Sequence, residues 1–277
     1  MKFSSCAHLA SNFTFPDEWA AYPVTVGLNF ASETHAQRGC ILSYLKLKRG
    51  WAILTCFLIS SLLLVQFSDL DIRISRLFFD NGFYLRDTWW QTFLHEGMAY
   101  FLSLSMLAVA GISYFNKRKQ RDLLGLDGKK ALYLALVLIL GAGLIVNVIF
   151  KEHFGRARPR DIEEFGGSRH FTPAFVISQE CASNCSFSSG EGAGGFFAVA
   201  LALALSRRRR ILLAALAFGG VVSFSRIAAG AHFFSDTMVS FFVMLLVADI
   251  LYHYMVAPKP TGPLHQERSA AVPVLAN

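Results

Sequence analysis

The chain of 277 residues is 54% hydrophobic, only 16% charged, and carries a formal net charge of +7. Soluble domains carry about 25% charged residues, so this balance excludes an ordinary soluble domain and fits an integral membrane protein. The surplus basic residues sit in short clusters beside apolar runs, as topology signals do, which also excludes nucleic-acid binding as the reason for the charge.

Residues 1–45 are mixed in character. They lack a basic segment leading into an apolar one, so they are no ordinary signal peptide. They read as a poorly ordered extension or as sequence ahead of the true start. Residues 46–256 form one membrane domain with six apolar runs, at 51–67, 97–115, 131–150, 192–206, 211–229 and 236–255. A crossing helix needs about 20 apolar residues; the fourth run is short and glycine-rich at its start. No repeat of solenoid length is evident. The predicted fold class is therefore all-α, a polytopic bundle of six transmembrane helices. Residues 257–277 are proline-containing and read as a disordered cytoplasmic tail.

Lys46, Lys48 and Arg49 precede the first run. Lys117, Arg118, Lys119, Arg121, Lys129 and Lys130 follow the second, and Arg207 to Arg210 separate the fourth from the fifth. With six alternating helices these clusters share one side, which the positive-inside rule makes cytoplasmic. Both termini then lie inside, and loops 68–96, 151–191 and 230–235 lie outside. The second outer loop breaks the rule with Lys151, Arg156, Arg158, Arg160 and Arg169. An anionic substrate would account for them; pairing with Asp161, Glu163 and Glu164 would absorb some. Phe165, Phe171 and Phe175 in this loop suit the bilayer interface. Cys181 and Cys185 share it too, as a disulfide in an oxidising compartment or as free thiols. Cys6, Cys40 and Cys56 suggest no bridge, and no Cys/His set has metal-ligand spacing.

Three stretches at the outer face carry the chemistry: KEHFGRARPR from Lys151, SFSSGEG from Ser186 and SRIAAGAHFFSD from Ser225. His232 and Asp236 are four apart and share a face on a helix. A carboxylate beside an imidazole fixes its tautomer and raises its nucleophilicity. Lys151 and Arg226 stand at predicted helix ends and Arg158 follows Lys151 by seven residues; converging on one point, the three make a phosphate clamp. Ser189 and Gly190 precede a helix start, whose amides suit an anion. Each element alone is ordinary: such a histidine is more often structural, a Ser-Gly pair is usually a turn, and an arginine at a helix end usually snorkels. Their shared face is what gives them weight.

The residues Lys151, Arg158 and Pro159, then Ser189 and Gly190, then Ser225, Arg226, His232 and Asp236 resemble the signature of the type 2 phosphatidic acid phosphatase superfamily. The resemblance implies a metal-independent phosphatase without cofactor, working through a phosphohistidine at the periplasmic face of a bacterial inner membrane. His232 would be the nucleophile and Asp236 its orienting partner. Lys151, Arg158, Arg226, Ser189 and the Gly190 amide would hold the phosphoryl group. Arg156 and Arg160, which flank Arg158, would contact a second anionic group of the substrate.

One position departs from the family. Its second motif ends in a histidine, the general acid, where this chain has Glu191. Glu191 as acid, a donor elsewhere such as His95, His153 or His170, and a degenerate site all stay open. The implied substrate is a lipid phosphate in the bilayer. The form of the second motif and the FGRARPR loop are similar to bacterial lipid A phosphatases, acting at the 4′ or 1 position. Undecaprenyl diphosphate and phosphatidylglycerol phosphate are the alternatives, and a non-catalytic lipid-phosphate binding or transport protein is the reading from another class. The sequence does not specify an oligomeric state.

Overall fold

The computed structural model describes residues 49–257. The expectations for the extension, for Lys46 and Lys48, for Cys6 and Cys40 and for residues 258–277 lie outside the described residues. Among the described residues the protein is all-helical, with two isolated bridges, Phe79 to Phe83 and Ile162 to Arg169, as its only β-pairing.

Five helices are long and apolar enough to cross a membrane: α1 (Arg49–Gln66), α3 (Trp89–Lys119), α4 (Gly128–Lys151), α6 (Arg209–Ala228) and α7 (Phe234–Val256). A short helix, α2 (Asp69–Arg76), lies in the first loop. The remaining helix, α5 (Gly190–Leu205), has 16 residues. At about 1.5 Å per residue it is shorter than the roughly 30 Å hydrocarbon layer. Its place inside the protein explains this, since it packs against α4, α6 and α7 and neighbouring protein surrounds its backbone.

Local chemistry sets the helix ends. α2 begins with Asp69 and Asp71 and ends with Arg73 and Arg76, charges that oppose the helix dipole at both termini. Asp127 caps α4 by accepting the Lys130 amide at 2.8 Å. α3 closes on Lys117, Arg118 and Lys119 before Gln120 turns left-handed. α5 is built of small residues where it meets α6. A β-carbon on Gly219 of α6 would lie 2.2 Å from the Phe196 ring of α5, so glycine there permits the close approach of the two helices.

The main core runs through α4, α5 and α7, with Tyr133, Leu134, Val146, Phe197, Ala200 and Met244 buried. A smaller cluster, Phe83, Ala157, Ile162, Phe165 and Phe233, lies beneath the second loop. Phe165 packs on Phe79 and Phe83, Phe171 on Phe233 and Phe175 on Phe187. These rings therefore fasten the second loop to the first loop and to the residues around the site. Cys181 and Cys185 are paired as a disulfide, with their Cα atoms 5.6 Å apart. A loop so anchored can hold charged side chains in fixed positions.

Candidate active site

The end of α4, the start of α5, the end of α6 and the turn into α7 meet at one end of the bundle. His232 lies in that turn, 1% exposed. Its Nδ1 is 2.7 Å from the Ser186 carbonyl oxygen. A carbonyl only accepts, so Nδ1 carries a proton, and in the neutral ring the lone pair is then on Nε2. That nitrogen is buried with no hydrogen-bond partner.

Asp236 stands further back than the sequence suggests. Its Oδ2 is 3.8 Å from His232 Nδ1 and instead accepts the Phe233 amide at 2.8 Å and the Ser186 hydroxyl. Ser186 thus links the two: its carbonyl orients the imidazole and its hydroxyl binds the carboxylate. The first turn of α7 is capped by the same carboxylate, which ties the helix start to the site.

Arg156 requires a correction. It was expected to contact substrate, yet it is 1% exposed and points inward. Its Nη2 donates to Asp71 Oδ2 at 2.8 Å, its Nη1 to Asp236 and to Ser235 Oγ at 2.8 Å, and its Nε to the Thr172 carbonyl at 2.7 Å. The Phe233 ring stacks on the guanidinium with its centroid 4.2 Å away. Asp71 also accepts from the Ser235 amide at 2.9 Å and from its hydroxyl. Burial raises the Asp71 carboxyl above its ordinary value, and the facing Arg156 opposes that rise. One arginine, through four of its five N–H donors, therefore joins α2, the second loop and α7.

The remaining cations face a polar cavity of about 450 Å³ lined by Arg86, His95, Arg158, Arg160, Glu191 and Arg226 among others. Arg158 is steadied by donating to the Asn184 carbonyl at 2.8 Å. Arg226 Nε is buried without a hydrogen-bond partner. Lys151, at the end of α4, interacts electrostatically with Glu191, Arg158 and Arg226. Burial pulls the Arg158 and Arg160 guanidinium groups below their ordinary value. Glu191 opposes this at Arg158, while Arg158 and Arg86 add to it at Arg160. Cations crowded in this way gain from an incoming anion. Arg160 is only loosely engaged by Asp161, at 3.8 Å.

In the second stretch, Ser189 is buried and caps α5, its Oγ accepting the Gly192 amide at 3.1 Å. Capping occupies the hydroxyl oxygen, so the residue acts first through the helix start that it holds. Ser189→Ala is expected to cost about 1 kcal/mol, with Ser189→Asn keeping most of it, read as the melting temperature in detergent. A β-carbon on Gly190 would lie 2.8 Å from Asn147 Oδ1, which requires glycine there and brings the helix start close to α4.

Glu191 lies between two imidazoles. Its Oε1 is 2.9 Å from His95 Nδ1, and its Oε2 is 3.4 Å from His232 Nε2 and 3.6 Å from Arg226 Nε. His95 enters the site because α3 begins at Trp89, about two turns before the apolar run at residue 97. In those turns Gln91 is buried and His95 lines the open cavity, while Trp89 and Phe93 point away from it and are exposed. Gln91 donates to the Ser225 carbonyl. The other two candidate donors lie apart: His153 binds the Val148 carbonyl at 2.8 Å, and His170 is 3.4 Å from Glu163.

Sequence reasoning missed Asp71, Gln91, Asn184 and Ser186. The only available signal was the polar spacing of Gln91 and His95 across aromatic neighbours, which marks an amphipathic helix start.

Residues 131–259 match the family described as the PAP2 superfamily. A lipid A 4'-phosphatase of Francisella tularensis subsp. novicida (strain U112) is 37% identical over 134 residues, 47% of this chain and 60% of the relative. A lipid A 4'-phosphatase of Rhizobium leguminosarum is 38% identical over 112 residues, 40% of this chain and 48% of the relative. One from Rhizobium etli is 39% identical over 112 residues, 40% of this chain and 44% of the relative. The chain thus spans about half the length of the curated relatives it matches. The crystal structure of a transmembrane PAP2 type phosphatidylglycerolphosphate phosphatase from Bacillus subtilis superposes with a TM-score of 0.52 at 19% identity, covering 74% of this chain and 94% of that one. That likeness shows a shared fold.

Proposed function

Residues 131–259 carry a PAP2 superfamily domain, and from that premise we propose that the chain is a lipid A phosphatase acting at the 4′ position through a phosphohistidine. The observation that carries the catalytic reading is the pair of buried polar atoms without hydrogen-bond partners, His232 Nε2 and Arg226 Nε, beside a cation-lined cavity. Buried polar atoms normally find partners. A phosphoryl group between them satisfies both, with an electron pair on Nε2 aimed at phosphorus.

His232 attacks as the nucleophile, held by the Ser186 carbonyl and backed by Asp236. Arg158, Arg226 and Lys151 take up the negative charge of the transferring group, with Ser189 and the Gly190 amide behind them. These fixed side chains meet the charge that develops on the transferring group. Glu191 stands beside the phosphate position, with one oxygen 3.4 Å from His232 Nε2 and the other 2.9 Å from His95 Nδ1. Arg160 and Arg86 extend the cationic surface toward the rest of an anionic lipid. The substrate assignment rests on the lipid A 4'-phosphatases to which the chain is similar.

The site faces the periplasm of a bacterial inner membrane. The Cys181–Cys185 disulfide at that end suits an oxidising compartment. The basic residues at the end of α3, the start of α4 and between α5 and α6 stand at the opposite end, as positive-inside residues do. Purified protein in detergent is expected to release phosphate from lipid A faster than from undecaprenyl diphosphate or phosphatidylglycerol phosphate, at the same rate with a chelator present. A preference for either other lipid would reassign the substrate. Release from none of the three would leave a lipid-phosphate binding or transport protein.

A further inference from the structure

We infer that His95, brought in from α3, is the proton donor to the leaving oxygen, and that Glu191 is the residue that positions it. The inference rests on the phosphohistidine reading and adds a catalytic residue outside the motifs.

The geometry divides the work between the two residues. Glu191 reaches His95 Nδ1 with one oxygen and His232 Nε2 with the other. The two imidazoles therefore meet at different oxygens of one carboxylate, which brings a candidate nucleophile and a candidate acid to the same anion site. A phosphate settling against His232 and Arg226 takes the space near Oε2. Oε1 keeps its hold on His95. Bonded through Nδ1, the ring leaves Nε2 toward the cavity it lines. The side chain is 55% exposed, so it exchanges protons with water between turnovers. Glu191 itself has His95 Nδ1 at 2.9 Å and the Arg226 guanidinium at 3.6 Å, surroundings that favour its carboxylate form and suit an acceptor that orients an imidazole better than a proton source. Arg86, Asp87, Glu96, Arg158 and Arg160 also line this cavity.

The step balances as follows. The Nε2 electron pair of His232 forms the P–N bond as the P–O bond to the lipid breaks. The pair from that bond stays on the lipid oxygen, which takes the proton from the His95 imidazolium and leaves as an alcohol. Water then attacks phosphorus and gives a proton to the neutral His95. The P–N bond breaks, its electrons return to Nε2, and phosphate departs.

His95→Ala and His95→Asn test this in the full chain, with lipid A and with p-nitrophenyl phosphate, whose leaving group needs no proton. The expected result is a kcat on lipid A lower by about 10²–10⁴-fold, a KM within threefold, and partial recovery on adding imidazole. On the aryl phosphate the formation step is expected to be nearly unimpaired, so that phosphohistidine accumulates because its hydrolysis lacks a base. Glu191→Gln is expected to lose activity on lipid A without recovery by imidazole. A kcat within threefold of the parent in both His95 variants would overturn the inference. So would an equal loss on both substrates with no rescue, which would mark a structural role. If the parent turns over lipid A but never yields phosphohistidine, the nucleophile assignment fails, and His95 is judged on kcat and rescue alone. If the parent has no activity, both readings fail.

Discussion

His232→Ala is expected to abolish phosphate release, with kcat lower by about 10⁴–10⁶-fold, the range seen when a covalent nucleophile is removed. The acid-labile phosphoenzyme is expected to vanish with it. Binding of a lipid phosphate is expected to survive, because Arg158, Arg226 and Lys151 supply the attraction and the imidazole supplies the reaction. His232→Asn, which keeps a side-chain donor toward the Ser186 carbonyl, is expected to preserve the local structure and be equally inactive. Single-turnover trapping with labelled substrate reads the phosphoenzyme, and equilibrium binding of the same lipid reads the affinity. Full activity in both variants would eliminate the phosphohistidine mechanism. Loss of binding together with activity would mean that the imidazole also shapes the anion site.

Arg156→Ala is expected to have the largest effect on stability. Its guanidinium is the buried partner of both Asp71 and Asp236. Removing one member of a buried ionic set costs about 3–5 kcal/mol, because the remaining charges stay desolvated. For a chain of this size that lowers the melting temperature by about 10 °C. Arg156→Met fills the volume but leaves the same two carboxyls unpaired, so it is expected to recover little. Combining Arg156→Met with Asp71→Asn removes one of the stranded charges and is expected to recover part of the loss. The pH dependence has a definite sign. Burial already raises Asp71, with Arg156 opposing; without Arg156 the rise grows. An acid whose folded pKa is raised contributes stability below its unfolded value and loses it as pH rises through the folded one. The deficit of the variant relative to the parent is therefore expected to widen from mildly acidic to mildly alkaline pH. Thermal unfolding across that range checks this, and a deficit that narrows instead would contradict the buried-pair account.

Arg156 also shows why an arginine of the basic loop need not face the substrate. In sequence it differs from Arg158 only by position, two residues along the same basic loop. Its inward direction depends on Asp71, which arrives from a short helix 85 residues earlier, and on the Phe233 and Phe171 rings that stack on it. A charge can be buried only where partners are supplied, and those partners lie on other elements.

The chain by itself indicated an all-helical membrane protein, five of the six apolar segments that are long enough to cross, the basic clusters at helix ends and the motif residues that the structure brings together. These follow from short-range signals: long apolar runs that bilayer thickness demands, charge asymmetry at helix ends, and three motifs whose residues lie close together in sequence. The sequence also showed that a carboxylate stands where an acid was expected. Only the tertiary structure decided what surrounds it. His95 comes from the first turns of α3, whose polar inward face lowered the apolar signal and hid the helix start. Ser186, and not Asp236, makes the direct bond to the His232 ring. Ser189 spends its oxygen on a helix cap. The physical reason is common to all of these: a side chain's role is set by which donors and acceptors reach it, and in this bundle they arrive from helices far apart in the chain.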